Sequence, residues 1–232
     1  MSLRTERFLP STPASSWLNY GREMVIDNRT PPVVDGLVGL YDFESWTGSQ
    51  WSDISGNNNH ATSTTGTIST PTISGNGSSL SIDTLQGATN SGIRFPAAIL
   101  PSTFTLFHLA RYTGGTRRRI FDGVGTNWLS GFWRGNAGVA FHDGWITGQT
   151  DTHGNNWVIS TDQNSLYRSN GTQRGTGGGA TSKQLSINYG AYASGESSDW
   201  NVAFVAVYNR TLNSTEYGQV ESWISEKYGV SI

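Results

Sequence analysis

The densest set of residues able to do chemistry lies between positions 127 and 157. Trp128, Trp133, Trp145 and Trp157 fall there beside Asn127, His142, Asp143, Asp151, His153, Asn155 and Asn156. Sugars are recognised by aromatic faces that cover their C–H groups and by amide and carboxylate partners for their hydroxyls, and Trp adds an N–H donor. Trp128, Trp133, His142, Asp143, Trp145 and His153 are the subset that reads as a carbohydrate site. The competing assignment plugs alternate Trp residues into a sandwich core, and it holds for some of them.

Other chemistries find less. Cysteine is absent, which excludes disulfides, thiolate nucleophiles and Cys-based zinc sites together. No Gly-x-Ser-x-Gly elbow occurs. His60, His108, His142 and His153 form no His-x-x-x-His pair, and His108 reads as a hydrogen-bonded core or edge residue. Arg117-Arg118-Arg119 reads as a solvated turn, with phosphate or an acidic glycan as the alternative. Glu216, Glu221 and Glu226, at five-residue spacing, read as the solvated side of a helix.

The elements that must carry these residues are mostly strands. Residues 37–43, 103–112, 157–161 and 165–168 are apolar or alternating runs bounded by Gly, Pro and Asn turns, and 162–164 reads as a hairpin loop. Residues 200–208 are apolar on both faces, which predicts a central strand of a two-layer structure. One helix is expected at the C-terminus. Asn213 and Glu216 make a capping box, Tyr217, Val220, Ile224 and Tyr228 recur at helical spacing, and Gly229 supplies the stop.

Composition bounds the whole. With roughly 100–200 residues per domain, a chain of 232 residues is one large domain or a domain with an appendage. Charged residues are 14%, while nine each of Trp, Tyr and Phe argue for a packed fold. Fifteen basic against 17 acidic residues give a net charge of −2, which excludes the basic footprint of a nucleic-acid binder. No apolar run is long enough to span a membrane as a helix. Residues 1–35 carry Pro10, Pro13 and Pro31-Pro32, yet hold Phe8, Leu9, Trp17, Leu18, Tyr20, Met24, Val25 and Ile26. They read either as a strap on their own domain or as an arm docked on a carrier protein or sister copies. The first residues lack the apolar stretch of a signal peptide.

Gly36-Leu37-Val38-Gly39-Leu40-Tyr41-Asp42-Phe43-Glu44, then residues 51–61, resembles the opening of a laminin-G-like, concanavalin A-type lectin/glucanase domain. Residues 199–210 and the capped helix ending at Gly229 resemble that family's last strand and helix, and residues 119–123 and 165–171 fall between in the family's order. The resemblance covers residues 36–232 and implies an all-β fold: an antiparallel two-sheet sandwich, or concanavalin A-like jelly roll, with one C-terminal helix and an extended N-terminal arm over 1–35. Residues 127–133 and 141–145 look like a subgroup often encoded by large DNA viruses and bacteriophages.

That resemblance implies a non-enzymatic, lectin-like module displayed on a virion or similar particle, assembled in the host cytoplasm or reaching the outside without a signal peptide. A virion cement protein whose loops touch only protein is the alternative, and a glycan hydrolase the third. A hydrolase needs two carboxyl groups; Asp42 and Glu44, on one strand face, are the available pair, and the Glu-x-Asp-x-Glu pattern of laminarinase-type relatives is missing. No cofactor is required. Calcium is the metal such domains use, and Asp53 and Asp122 are the candidate ligands, although the Asp53 loop reads equally well as an Asx turn.

Overall fold

The computed structural model describes residues 29–179 and 182–232. Among these residues, two large antiparallel sheets pack face to face. The first, eight-stranded, runs Thr172–Thr176, Leu166–Ser169, Val158–Gln163, Thr105–Tyr112, Trp200–Tyr208, Leu85–Gly87 and Ile68–Ser69, with Leu37–Asp42 paired to the second half of Trp200–Tyr208. The second, seven-stranded, runs Asn136–His142, Thr126–Trp133, Phe121–Gly123, Leu185–Ile187, Gly92–Arg94, Ala61–Thr65 and Gln50–Trp51. The fold is the antiparallel sandwich with one C-terminal helix that the sequence implies. We call the two layers the helix sheet and the groove sheet.

The Trp200–Tyr208 strand is buried at every position, as its two apolar faces require. Trp200, Val202, Val205 and Val207 face the groove sheet, while Ala203, Phe204, Ala206 and Tyr208 face the C-terminal helix. Val202 and Val205 are three apart yet share a face because the register shifts between Val202 and Phe204, and the extra residue of a bulge resets the alternation. His108 points into the inter-sheet core, stacked on Phe121 with ring centroids 4.1 Å apart and its Nε2 3.0 Å from Ser130 Oγ. Burial pushes its pKa down to about 3, so it stays neutral.

The helix spans Ser214–Tyr228. Asn213 Oδ1 accepts from the amides of Thr215 (3.0 Å) and Glu216 (3.1 Å), Glu216 Oε2 returns a bond to the Asn213 amide, and Gly229 ends the helix at φ 66°. Val220, Ile224 and Tyr228 pack on the outer face of the helix sheet. Glu221 departs from the solvated assignment. It lies one residue beyond Val220 on the same stripe, is 2% exposed, and binds Arg168 Nε at 2.8 Å and Thr161 Oγ1 at 2.7 Å. Burial of a carboxylate is tolerated because both oxygens are paired.

Two further expectations change. Residues 162 and 163 belong to the Val158–Gln163 strand, so the hairpin loop is Asn164-Ser165. The strand from Leu37 ends at Asp42, and Phe43–Ser45 is a 3-10 turn capped by the Asp42 carboxylate, so Asp42 and Glu44 do not share a strand face. Asp42 also takes a bidentate pair of bonds from Arg29 at 2.7 and 2.8 Å. Of the expected arm, residues 1–28 lie outside the described residues. The remainder straps onto its own domain: Val33 is buried, and its carbonyl accepts from the Tyr208 hydroxyl at 2.8 Å.

Candidate functional site

The Thr126–Trp133 strand sits second from the edge of the groove sheet, and its two faces differ in kind. Trp128, Ser130 and Phe132 turn inward: Trp128 and Phe132 join the core, and Ser130 meets His108. Asn127, Leu129 and Trp133 turn outward and line a groove with Phe141 of the next strand. Between Leu129 and Trp133 no side chain projects outward. Gly131 has φ 86°, a conformation that favours glycine, and a Cβ there would run into the His108 ring; the extra residue of the bulge beside it is Gly138 of the next strand. The outer face of this strand thus presents Asn127, Leu129 and Trp133 to the groove.

The groove holds about 280 Å3 and is closed by Trp145, Tyr192, Arg119 and Glu196. Trp145 stands edge-on to Trp133 (centroids 5.0 Å, 68°) and to Phe141 (5.3 Å, 75°). The hairpin fixes this meeting: Phe141 pairs with Leu129 across the ladder, and the short turn after it bridges Phe141 back to Trp145. Opposite them, Arg119 Nε donates to Glu196 Oε2 at 2.6 Å. Tyr192, 43% exposed, lies over the Arg119 guanidinium at 4.6 Å, and Arg134 lies over Trp133 at 4.7 Å. Arg134 Nη2 is 3.7 Å from the other Glu196 oxygen. Rings for apolar faces and an ion pair rich in donors and acceptors share one depression, which is the chemistry that polyhydroxylated ligands need.

The structure brings Trp133 and Trp145 of the predicted set into the groove and leaves the rest outside it. Trp128 and His142 are corrections. They are cross-strand partners on the inward face, stacked at 5.4 Å and 22°, and have 0% and 1% exposure, so neither can touch a ligand from outside. His142 Nε2 approaches Asp162 Oδ1 to 3.0 Å in full burial. Burial opposes its positive charge, but the Asp162 carboxylate outweighs that and raises the pKa. Asp143 is exposed at the turn, 4.0 Å from Lys183 Nζ, and does not line the groove. His153 is partly buried against the helix sheet, with Nε2 2.8 Å from Ser169 Oγ, also outside the groove.

The calcium candidates do not fit an ion. Asp53 accepts from the amides of Leu40 (2.9 Å), Ser55 (2.8 Å) and Asn59 (2.9 Å), so its carboxylate is the Asx-turn anchor of its own loop. Asp122 accepts from the Ser186 hydroxyl and from the Gly190 amide at 2.8 Å. Burial raises its pKa to about 7 against these donors. Both carboxylates face hydrogen donors, where calcium requires six to eight oxygens. Four strand steps also separate the Phe121–Gly123 strand from Gln50–Trp51, which Asp53 follows. At about 4.8 Å per step that is roughly 19 Å. Among the described residues no cluster of three or more His, Asp or Glu groups could hold a metal ion.

Arg119, Leu129, Phe141, Tyr192 and Glu196 are the lining residues that sequence reading does not single out. Arg119 belongs to the run read as a solvated turn, yet it is 6% exposed, because its guanidinium lies under Tyr192 and against Glu196. Strict alternation from Trp128 does place Trp133 on the opposite face, a signal present in the sequence. Glu196 lies 77 residues from its partner Arg119, and no local pattern announces that it and Tyr192 join the groove.

No protein-family model and no curated protein matches the sequence. Solved structures do. Domain 4 of AbnA, a GH43 extracellular arabinanase from Geobacillus stearothermophilus in complex with arabinotriose, is similar at 16% identity and a TM-score of 0.57, over 81% of this chain and 97% of that one. Trypanosoma rangeli sialidase, solved as a covalent intermediate with a difluorosialic acid, is similar at 18% identity and a TM-score of 0.51, over 85% of this chain and 34% of the sialidase. The binding domain of Paraclostridial Mosquitocidal Protein 1 is similar at 16% identity and a TM-score of 0.51, over 83% of this chain and 53% of that one. This chain thus spans about a third of the sialidase and about half of the toxin structure. The likeness carries the β-sandwich; it does not carry the viral subgroup. It also corrects the expectation of a non-enzymatic chain, because the similar structures come from an arabinanase and a sialidase as well as from a binding domain. The fold does not set this chain apart from glycoside hydrolases.

Proposed function

We propose that this chain is a carbohydrate-binding module whose glycan contact is the groove between Trp133, Trp145 and Tyr192. The observation that carries the reading is the edge-on Trp133–Trp145 pair facing the Arg119–Glu196 ion pair across one depression. Sugar C–H faces would rest on the rings, and hydroxyls would reach the ion pair. The similar arabinanase domain was solved with arabinotriose, which supports a sugar ligand for this fold. Display on a virion or similar particle, with residues 1–35 as the attachment to a carrier or to sister copies, is a finer form of the proposal and rests on the sequence resemblance alone.

The test is a glycan-array screen of the full chain beside Trp133→Ala and Trp145→Ala, with circular dichroism as the folding control. Binding that both variants lose supports the reading. Silence from folded protein moves the assignment to a structural role in which the sandwich touches only protein.

A further inference from the structure

We infer that the groove takes an uncharged glycan, recognised through its hydroxyls, rather than a uronate, sialate or sulfated sugar. The inference rests on the reading above and concerns the ligand's chemical class. Its ground is the hydrogen-bonding capacity that the protein leaves open. Two buried polar atoms of lining residues have no partner among the described residues: Arg119 Nη1, which can only donate, and Asn127 Oδ1, which can only accept. A polar atom buried without a partner is costly, and a ligand that supplies the partner recovers that cost on binding.

The two open valences differ in sign, and this selects the ligand. A hydroxyl accepts from Arg119 Nη1 and donates to Asn127 Oδ1, so a sugar bearing several hydroxyls satisfies both. A carboxylate or sulfate only accepts. It satisfies Arg119, leaves Asn127 Oδ1 unpaired, and brings negative charge beside Glu196. The positive charge of Arg119 is also already committed, with Nε 2.6 Å from Glu196 Oε2. Arg134, the other cation, is 57% exposed and its charge is screened by solvent and salt. The exposed ring of Tyr192 covers the guanidinium and is the element that a ligand must turn aside to reach Nη1.

The experiment is isothermal titration of the full chain with arabinotriose, xylotriose and cellotriose against trigalacturonic acid and sialyllactose, at low and at physiological salt. At least one neutral trisaccharide binds at least about tenfold more tightly than either acid, with an affinity that salt leaves unchanged. Asn127→Leu, checked for an unchanged melting temperature, weakens that binding by about tenfold, the loss expected for one hydrogen bond. Preference for an acid, binding that collapses with salt, or an affinity indifferent to folded Asn127→Leu overturns the inference and leaves the glycan reading standing. Failure of every sugar to bind overturns both. Should Asn127→Leu not fold, the contrast between neutral and acidic sugars on the unaltered chain decides alone.

Discussion

Trp128 and Trp133 belong to one strand, five residues apart, and do opposite work. Trp128 turns inward, has no exposed surface, and packs between Phe104 and His142. Trp133 turns outward, half-buried, with Trp145 on one side and the Arg134 guanidinium on the other. The residue type is the same and the neighbours are equally aromatic, so composition cannot separate a core plug from a ligand platform. Strand parity does.

The largest effect should come from the inward face. Trp128→Ala removes a fully buried indole and should destabilise the domain by about 3–5 kcal/mol. Binding would then be lost only through unfolding, which a chemical-denaturation midpoint measured beside affinity would reveal. Next come Trp133→Ala and Trp145→Ala. Each should weaken glycan binding by about thirtyfold or more, as a truncated aromatic hot spot does, while costing the fold far less than Trp128→Ala. A melting temperature lowered as much as in Trp128→Ala would erase the contrast between the faces.

Asp122 offers a smaller and pH-dependent test of the interior. Its folded pKa, raised to about 7 by burial, stands above the 3.8 of an ordinary aspartate. The native state therefore holds a proton that the unfolded chain releases, and the stability this gives is full below about pH 4 and lost as pH rises through about 7. Asp122→Asn lacks that loss. Its melting temperature relative to the parent should climb between about pH 4 and 7 and then level off, by at least about 2 °C. A difference that stays flat across this range would contradict the buried, raised carboxylate. The smallest expected effect is none: with Asp53 and Asp122 committed to hydrogen donors, a calcium chelator should leave both melting temperature and glycan affinity unchanged.

The sandwich was readable because its strongest elements advertise themselves locally. Residues 200–208 are apolar on both faces, and Asn213, Glu216 and Gly229 frame the helix with caps that the structure reproduces. Glu221 carries a signal for burial that its five-residue spacing from Glu216 and Glu226 hides, since it falls between Val220 and Ile224 on the buried stripe. The site was half readable. Trp133 and Trp145 are close enough in sequence for one hairpin to join them. Arg119, Tyr192 and Glu196 gather through the pairing of distant strands and loops, and the open valences of Arg119 and Asn127 exist only in three dimensions. Asp53 and Asp122 show the reverse error: oxygen-rich loops suggest a cation until the backbone amides that already fill them are seen.

The most direct test of the central claim uses the nine tryptophans themselves. The chain labelled with 5-fluorotryptophan, its resonances assigned by single substitutions, would be titrated with a binding oligosaccharide and followed by fluorine NMR. The account predicts that the Trp133 and Trp145 resonances shift with the binding isotherm while Trp128 and Trp157 stay in place. Saturable binding that moves other resonances and leaves Trp133 and Trp145 still would place the ligand elsewhere and contradict the account.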